Sequence, residues 1–218
     1  GATVALSTLR GKVVLLQPVG MSCPGCQAFS GGAVVGGYGG VAPQAGLSSL
    51  DELLEAVGVD PRDEDLALVQ VLFYDLAMNA PSVDDARTWA EHFRLSERPN
   101  VRVLVGDDRY KAHQATYDMV PGFFLIDRDG TLLLDATGPS PADDLGGAVA
   151  PRVAELVGTR PVASTDTAPA ATVTLCPPEE HPEIAQRAAL RPLFDAVETH
   201  RFVDAEAALD ALRVKGRM

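Results

Sequence analysis

Two cysteines separated by two residues are the part of this sequence best suited to chemistry. Cys23 and Cys26 enclose Pro24 and Gly25, and they follow an apolar run at residues 13–16. Thiols at this spacing on the first turn of a helix can close a small disulfide, and the free backbone N–H groups there favour a thiolate. A thiolate can attack another disulfide, and the second thiol can resolve the mixed disulfide that forms. The pair therefore predicts thiol–disulfide exchange.

The alternatives for this pair are a structural disulfide and half of a zinc site. A structural zinc ion takes four ligands, usually from two pairs of cysteines or histidines. One further cysteine, Cys176, is present, and the histidines are scattered along the chain: His92, His113, His181 and His200. This scatter favours redox chemistry. Cys176 could be an inert buried thiol, an interchain bridge or a third redox thiol. His181, five residues later, could bind a metal together with Cys176, but two ligands do not make a metal site.

The elements on either side of the cysteines can be predicted from pattern. Residues 12–17 predict a buried strand that ends just before the pair. The helix after it should be short, because six glycines lie between Gly31 and Gly40 and each costs a helix about 1 kcal/mol relative to alanine. We predict a mobile loop over residues 36–44. A capped helix should then begin at Ser48 or Ser49.

The rest of the pattern predicts a mixed sheet. Residues 66–74 and 101–105 predict strands, and Ser82 opens a helix that places Trp89 and Phe93 in the core. Strands at residues 122–127 and 131–135 flank an Arg-Asp-Gly turn, which favours an antiparallel hairpin. A further helix is predicted over residues 141–157. This order indicates a mixed α/β fold with the hairpin at one end.

Composition and length set the limits of function. The 218 residues suffice for one substantial core and an appendage, and the net charge of −12 disfavours nucleic acid as a partner.

We predict a redox domain over residues 1–158, a linker rich in Pro, Ala and Thr over 159–171, and a mostly helical extension over 172–218. No stretch approaches the roughly 18 apolar residues of a membrane span. Because the chain starts at Gly1, we expect a trimmed or processed form.

Two further motifs carry a family resemblance. Residues 6–16 read LSTLRGKVVLL, and residues 120–130 read VPGFFLIDRDG. With the Cys-x-x-Cys pair at the first strand–helix junction, these segments resemble the TlpA-like and alkyl hydroperoxide reductase/thiol-specific antioxidant-like (redoxin) proteins of the thioredoxin superfamily. The resemblance covers about residues 3–157. It implies a thioredoxin-like three-layer α/β fold with a mixed central sheet, to which the helical extension is added.

The resemblance also implies roles for named residues. Cys23 would be the attacking thiol and Cys26 the buried resolving thiol of a thiol–disulfide oxidoreductase. Pro121 would follow a cis peptide bond and place the Val120 backbone opposite the dithiol to grip an extended substrate, with Pro24 and Gly25 on the same surface. Partners would be protein thiols and disulfides and an upstream dithiol electron donor. No metal or organic cofactor is required, and bacterial TlpA-like relatives imply an extracytoplasmic place, periplasmic or membrane-tethered, with the cytoplasm as the alternative.

Departures from the family pattern keep other functions open. Gln17 stands six positions before Cys23, where the family often keeps a buried acid, and an amide can hold a water but cannot take a proton. A peroxiredoxin-like peroxidase needs a hydroxyl three positions before its reactive cysteine, and Gly20 stands there. A non-catalytic thioredoxin-like binding module and, more weakly, a metallochaperone are the remaining alternatives.

Overall fold

The computed structural model describes residues 4–138 and 141–158. From Leu9 to Gly158 these residues belong to one compact unit. Its centre is a sheet of five strands in the order β3-β2-β1-β4-β5. The strands are β1 (Val13–Gly20), β2 (Leu66–Tyr74), β3 (Val101–Val105), β4 (Gly122–Ile126) and β5 (Leu132–Thr137).

Helices follow each strand of the described chain except β4, which passes directly into β5. They are α1 (Pro24–Phe29), α2 (Gly32–Val35), α3 (Leu50–Ala56), α4 (Val83–His92), α5 (Gln114–Tyr117) and α6 (Ala150–Gly158), which continues a π-helical turn over Leu145–Val149. Short 3-10 turns cover Leu6–Leu9, Tyr38–Gly40 and Leu95–Glu97.

Strand β1 lies in the middle of the sheet. It pairs in parallel with β2, and β2 pairs in parallel with β3, as strands joined through helices do. On its other side β1 pairs antiparallel with β4, which forms the hairpin with β5. A mixed sheet with flanking helices and a terminal hairpin is the thioredoxin-like α/β arrangement, so the predicted fold class is confirmed.

The larger core lies on one face of this sheet. Alternate residues of β1, among them Val13, Leu15 and Val19, point to that face, because successive strand side chains point to opposite sides. They pack in one cluster with Leu54 of α3 and Trp89 of α4. A smaller cluster on the other face contains the buried residues Val14, Ala67 and Val69. Trp89 and Phe93 are core residues, as predicted.

Both predicted helix caps are confirmed. At Ser49 and at Ser82 the hydroxyl accepts from the backbone N–H three residues on, and the Glu52 or Asp85 carboxylate accepts from the serine N–H in return. These reciprocal bonds satisfy two backbone N–H groups that the first turn of each helix leaves free. The helices therefore begin where the serine and the acid three residues later indicated.

One predicted boundary is wrong. The helix predicted from residue 141 begins only at Leu145, where the Asp144 side chain caps the first turn. The segment predicted as a loop over residues 36–44 contains a 3-10 turn at Tyr38–Gly40, and α2 lies just before it at Gly32–Val35. Gly31 and Gly36 flank α2 with φ of 96° and 87°, a left-handed backbone that favours glycine, so α2 stays short.

Candidate functional site: the dithiol turn

The two cysteines lie where the central strand passes into the first helix. Strand β1 ends at Gly20, and Cys23 caps α1 with an extended backbone, φ −83° and ψ 116°. Pro24 occupies the first helical position, where the missing N–H of proline leaves no hydrogen bond unmade. The sequence thus places one thiol before the helix and the other within its first turn.

The first thiol is accessible and acidified. Cys23 is partly exposed, and its Sγ accepts a hydrogen bond of 3.2 Å from the backbone N–H of Cys26. A hydrogen bond from the Cys26 side chain is the largest cause that lowers the pKa of Cys23 from 9.0 to about 7. The backbone N–H groups of Cys26 and Gly25 act in the same direction, and partial burial opposes them. At neutral pH a large fraction of Cys23 is therefore thiolate.

The second thiol has the opposite environment. Cys26 is fully buried. Burial raises the pKa of Cys26 well above its ordinary value, and the hydrogen bond to Cys23 and the negative charge of that neighbour raise it further. Both cysteines are free thiols. The pair is therefore divided into a partly exposed thiol with a lowered pKa and a buried thiol that stays protonated.

The predicted substrate residues lie beside this turn. The Val120–Pro121 peptide bond is cis, as the resemblance implied. A Cβ placed on Gly25 would lie 2.9 Å from Cγ of Pro121, so the proline ring packs directly on the dithiol turn. A Cβ placed on Gly20 would lie 3.6 Å from Cγ1 of Val120 and 3.7 Å from Cβ of Cys23. The structure thus brings the late hairpin and the dithiol together.

The glycine-rich segment is tied to the first helix by a residue that sequence reasoning missed. Gln27 is fully buried, and its Oε1 accepts from the backbone N–H of Tyr38 at 2.7 Å. Its Nε2 donates to the carbonyl of Met21 at 2.6 Å and to that of Tyr38 at 3.4 Å. The backbone N–H of Gln44 also donates to the Pro24 carbonyl at 2.9 Å. A glutamine directly after the second cysteine was the signal in the sequence.

A second loop borders the thiols on the side of β2. The Asp75 carboxylate accepts from the N–H groups of Ala77 and Asn79 and holds a tight turn. On this turn Met78 has a φ of 66°, and its Sδ accepts from the hydroxyl of Ser22 at 2.9 Å. Met78 is exposed, as is Leu76. Sequence reasoning missed this contact, because residues 22 and 78 meet only through the parallel pairing of β1 and β2.

Gln17 lies in the sheet and belongs to a buried amide network. It is 1% exposed, and its Oε1 accepts from Nε2 of Gln70 at 2.8 Å. The same Nε2 donates to Oγ of Ser30, at the end of α1, at 2.9 Å. Oε1 of Gln70 accepts from Nε1 of Trp89 at 2.8 Å. Gln17, the residue predicted to support the dithiol, is therefore linked through Gln70 to the end of α1 that lies away from Cys23.

Several predictions concern residues outside the described part of the chain. The linker at 159–171, the extension at 172–218 with its helices, Cys176 and His181 all lie there. Among the described residues, no helix is long and apolar enough to cross a membrane.

Comparison with known proteins finds solved structures that are similar to this chain. No protein-family model matches the chain, and no curated protein matches it. A secreted disulfide oxidoreductase of Mycobacterium tuberculosis is 20% identical, with a TM-score of 0.43 over 72% of this chain and 90% of that chain. The thioredoxin domain of a Bacteroides vulgatus thiol-disulfide oxidoreductase is 20% identical, with a TM-score of 0.41 over 70% of this chain and 87% of that chain. A Corynebacterium glutamicum thiol-disulfide isomerase is 14% identical, with a TM-score of 0.43 over 73% of this chain and 90% of that chain. By its own strand order and the place of its dithiol, the chain has the thioredoxin-like fold that its sequence resemblance implied.

Proposed function

We propose that the chain is a thiol–disulfide oxidoreductase that exchanges disulfides with partner proteins through Cys23 and Cys26. The observation that carries this proposal is the division between the two thiols. A pKa of about 7 and partial exposure fit Cys23 for attack, and full burial with a raised pKa fits Cys26 for waiting protonated.

The exchange proceeds in two steps that balance. The Cys23 thiolate attacks one sulfur of a client disulfide, the client S–S bond breaks, and one client thiolate leaves. Cys26 then gives its proton to solvent and attacks Sγ of Cys23, which breaks the mixed disulfide, releases the second client thiolate and leaves a Cys23–Cys26 disulfide. Two electrons pass to the client. Reduction of the new disulfide by an upstream dithiol protein restores the starting state, and the reverse order would oxidise clients.

The structure supplies a reason for the order of the steps. The Cys23 negative charge is one of the causes that raise the pKa of Cys26. In the mixed disulfide Cys23 carries no charge, so this cause disappears and Cys26 gives up its proton more readily. Resolution is thereby favoured only after a client has been captured.

The client would lie along Val120 and Pro121. The proline ring packs on Gly25, and Val120 approaches Gly20 at the base of the dithiol turn. An extended segment laid against this backbone would bring its sulfur to the exposed side of Cys23. The exposed Leu76 and Met78 would then contact the residues next to the client cysteine.

Trapping the mixed disulfide tests the proposal. A Cys26→Ala variant, with Cys176→Ser to remove the third thiol, should accumulate a covalent adduct with a disulfide-containing peptide at Cys23, detected by mass spectrometry. The matched Cys23→Ala variant should form none. Equal adduct formation by both variants, or by neither, would contradict the proposed roles.

The direction of electron flow depends on the reduction potential, and the proposed location depends on the family resemblance. Reduction potentials of such couples range from about −270 to −120 mV, and the value decides whether the protein reduces or oxidises its clients. We place the protein outside the cytoplasm, in keeping with its TlpA-like resemblance. Equilibration of the Cys23–Cys26 couple with glutathione buffers measures the potential directly.

A further inference from the structure

The glycine-rich segment that follows α1 returns to the dithiol turn. Residues 36–44 leave α2 and end at Gln44, whose backbone N–H donates to the carbonyl of Pro24 at 2.9 Å. Pro24 stands directly after Cys23 in the sequence. The segment therefore starts near the C-terminal end of α1 and comes back to the end that carries the reactive thiol.

Two glycines make this return possible. A Cβ placed on Gly32 would lie 2.7 Å from Cγ of Pro43, and one placed on Gly37 would overlap the carbonyl oxygen of Val41. A larger residue at either position would displace the backbone just before Gln44, because glycine is the residue that permits such close approach. The position of Gln44 beside the dithiol turn thus depends on glycines that no other part of the site requires.

The Gln44 side chain lies against the surface between the two cysteines. A Cβ placed on Gly25 would lie 2.9 Å from Cγ of Pro121 and 3.5 Å from Oε1 of Gln44. One point on the dithiol turn is therefore close to both the proline ring and the glutamine amide. Gln44 is exposed, and its side-chain amide makes no hydrogen bond to another residue in the described part of the chain.

The chemistry of this amide fits it to a peptide main chain. Every residue of a polypeptide except proline carries a backbone N–H group that needs an acceptor, and a glutamine oxygen is an acceptor without charge. Such a bond is indifferent to the side chains of the client. A small disulfide without peptide groups offers no N–H group to the same oxygen.

We propose that Gln44 is a client-binding residue, whose Oε1 accepts a hydrogen bond from a main-chain N–H group of an extended client segment while Cys23 attacks the client disulfide. This inference rests on the proposed function of the dithiol. It adds a specificity to that function, because disulfides within a peptide gain a bond that small non-peptide disulfides lack.

Two disulfides with the same leaving group test the proposal. One is a linear peptide whose central cysteine is joined to 2-mercaptoethanol, and the other is bis(2-hydroxyethyl) disulfide. Their rate constants with the reduced full-length protein carrying Cys176→Ser are measured by quenched flow and mass spectrometry. Gln44→Met keeps the length of the side chain and removes the acceptor, so it should slow exchange with the peptide about three- to tenfold and leave bis(2-hydroxyethyl) disulfide unchanged.

Ester substitution in the peptide identifies the N–H group. An ester oxygen replaces one main-chain N–H at a time and leaves the shape of the peptide nearly unaltered. At one position this replacement should slow exchange about three- to tenfold with Gln44 in place and should have no such effect in Gln44→Met. Equal effects in both proteins at every position would overturn the proposal.

Controls separate a contact with the client from a disturbed dithiol turn. Gln114→Met, the same change at an exposed glutamine whose amide bonds to Asp118, should alter neither rate. In Gln44→Met the midpoint of Cys23 alkylation should stay near pH 7, since the donors that lower the pKa of this thiol belong to Cys26 and Gly25. A shifted midpoint, or equal slowing with both disulfides, would overturn the assignment of Gln44 to the client.

The same measurements distinguish failure of this inference from failure of the proposed function. No exchange with either disulfide by the protein with Gln44 in place would overturn the proposed function and the inference together. Exchange with both disulfides, at rates that Gln44→Met leaves unchanged, would overturn the inference alone.

Discussion

The polar groups at the two ends of α1 differ in whether their hydrogen bonds are satisfied. At the N-terminal end, Cys23 receives hydrogen bonds from the side chain and backbone of Cys26, and its pKa falls to about 7. At the C-terminal end, Ser30 joins the Gln17–Gln70 amide network, in which one N–H group has no partner among the described residues. Six residues of helix separate the two.

The difference lies in what the hydrogen-bond donors at each end of α1 stabilise. The hydrogen-bond donors around Cys23 stabilise the negative charge of its thiolate, so the N-terminal end of α1 favours the reactive form of this thiol. A buried donor without an acceptor leaves the free-energy cost of its desolvation uncompensated. One end thus stabilises a charge on a side chain, and the other carries an uncompensated cost of burial.

Loss of the outer thiol is the largest expected effect on exchange. Cys23→Ser should lower peptide-disulfide exchange to the background rate, because a serine hydroxyl stays protonated at neutral pH and cannot replace a thiolate. Cys26→Ser should still form the mixed disulfide but resolve it slowly. Product analysis by mass spectrometry over time measures both. Equal rates of capture in the two variants would remove the distinction between the thiols.

The second-largest effect on exchange should come from disturbing the contact between the dithiol turn and Pro121. In Gly25→Ala, the new Cβ would stand 2.9 Å from Cγ of Pro121, so the turn and the hairpin must separate. We expect exchange to slow about tenfold, since small misplacements of reacting groups carry large rate costs. Gly146→Ala is the matched control, because its Cβ would meet only Oδ2 of Asp144, at 3.7 Å. A similar rate for both variants would count against the hairpin as the client surface.

The effect of pH on the alkylation of Cys23 should be smaller, and its midpoint should lie at the pKa of this thiol. The pKa of Cys23 is lowered, so its thiolate persists as pH falls until about pH 7. Alkylation of native reduced protein by iodoacetamide should therefore be half-maximal near pH 7 and drop about fivefold between pH 7 and pH 6. Peptide mapping should show Cys26 unmodified throughout. A midpoint near pH 9 would mean that the donors around Cys23 do not stabilise its thiolate.

Local signals were enough to predict much of this molecule. The strands at Leu66–Tyr74 and Val101–Val105 have the predicted bounds, because each is a mostly apolar run, broken by a single polar residue, between turn residues. The serine caps at Ser49 and Ser82 depend on residues three apart and were equally readable. The dithiol was placed by the same logic, since its strand and helix adjoin it in sequence.

Contacts between distant segments could not be predicted in this way. The bond between Ser22 and Met78 depends on the path of a turn after β2, and the bonds between Gln27 and Tyr38 depend on the path of the glycine-rich segment. Glutamine at position 17 was noticed because an acid was expected there. Its link to Trp89 through Gln70 needed the register of β1 against β2, which pairs Gln17 with Gln70.

The last prediction compares two buried glutamines. Gln27 has partners for both ends of its amide, whereas Gln17 has a partner only for its oxygen. Gln27→Leu leaves several backbone groups unsatisfied, so we expect it to lower the free energy of unfolding by about 2–4 kcal/mol. Gln17→Leu loses one hydrogen bond and also removes the unpartnered N–H, so its change should lie within about 1 kcal/mol of zero.

Urea unfolding of the two reduced variants measures this difference, and the alkylation midpoint of Cys23 serves as the redox readout. Gln17→Leu should leave that midpoint near pH 7, because the donors that lower the pKa of Cys23 belong to Gly25 and Cys26. If Gln17→Leu instead destabilised the protein as much as Gln27→Leu, its Nε2 would have a partner already. If it moved the midpoint, the two ends of α1 would be coupled through the helix, and the distinction between an end that stabilises a thiolate and an end with an unsatisfied amide would fail.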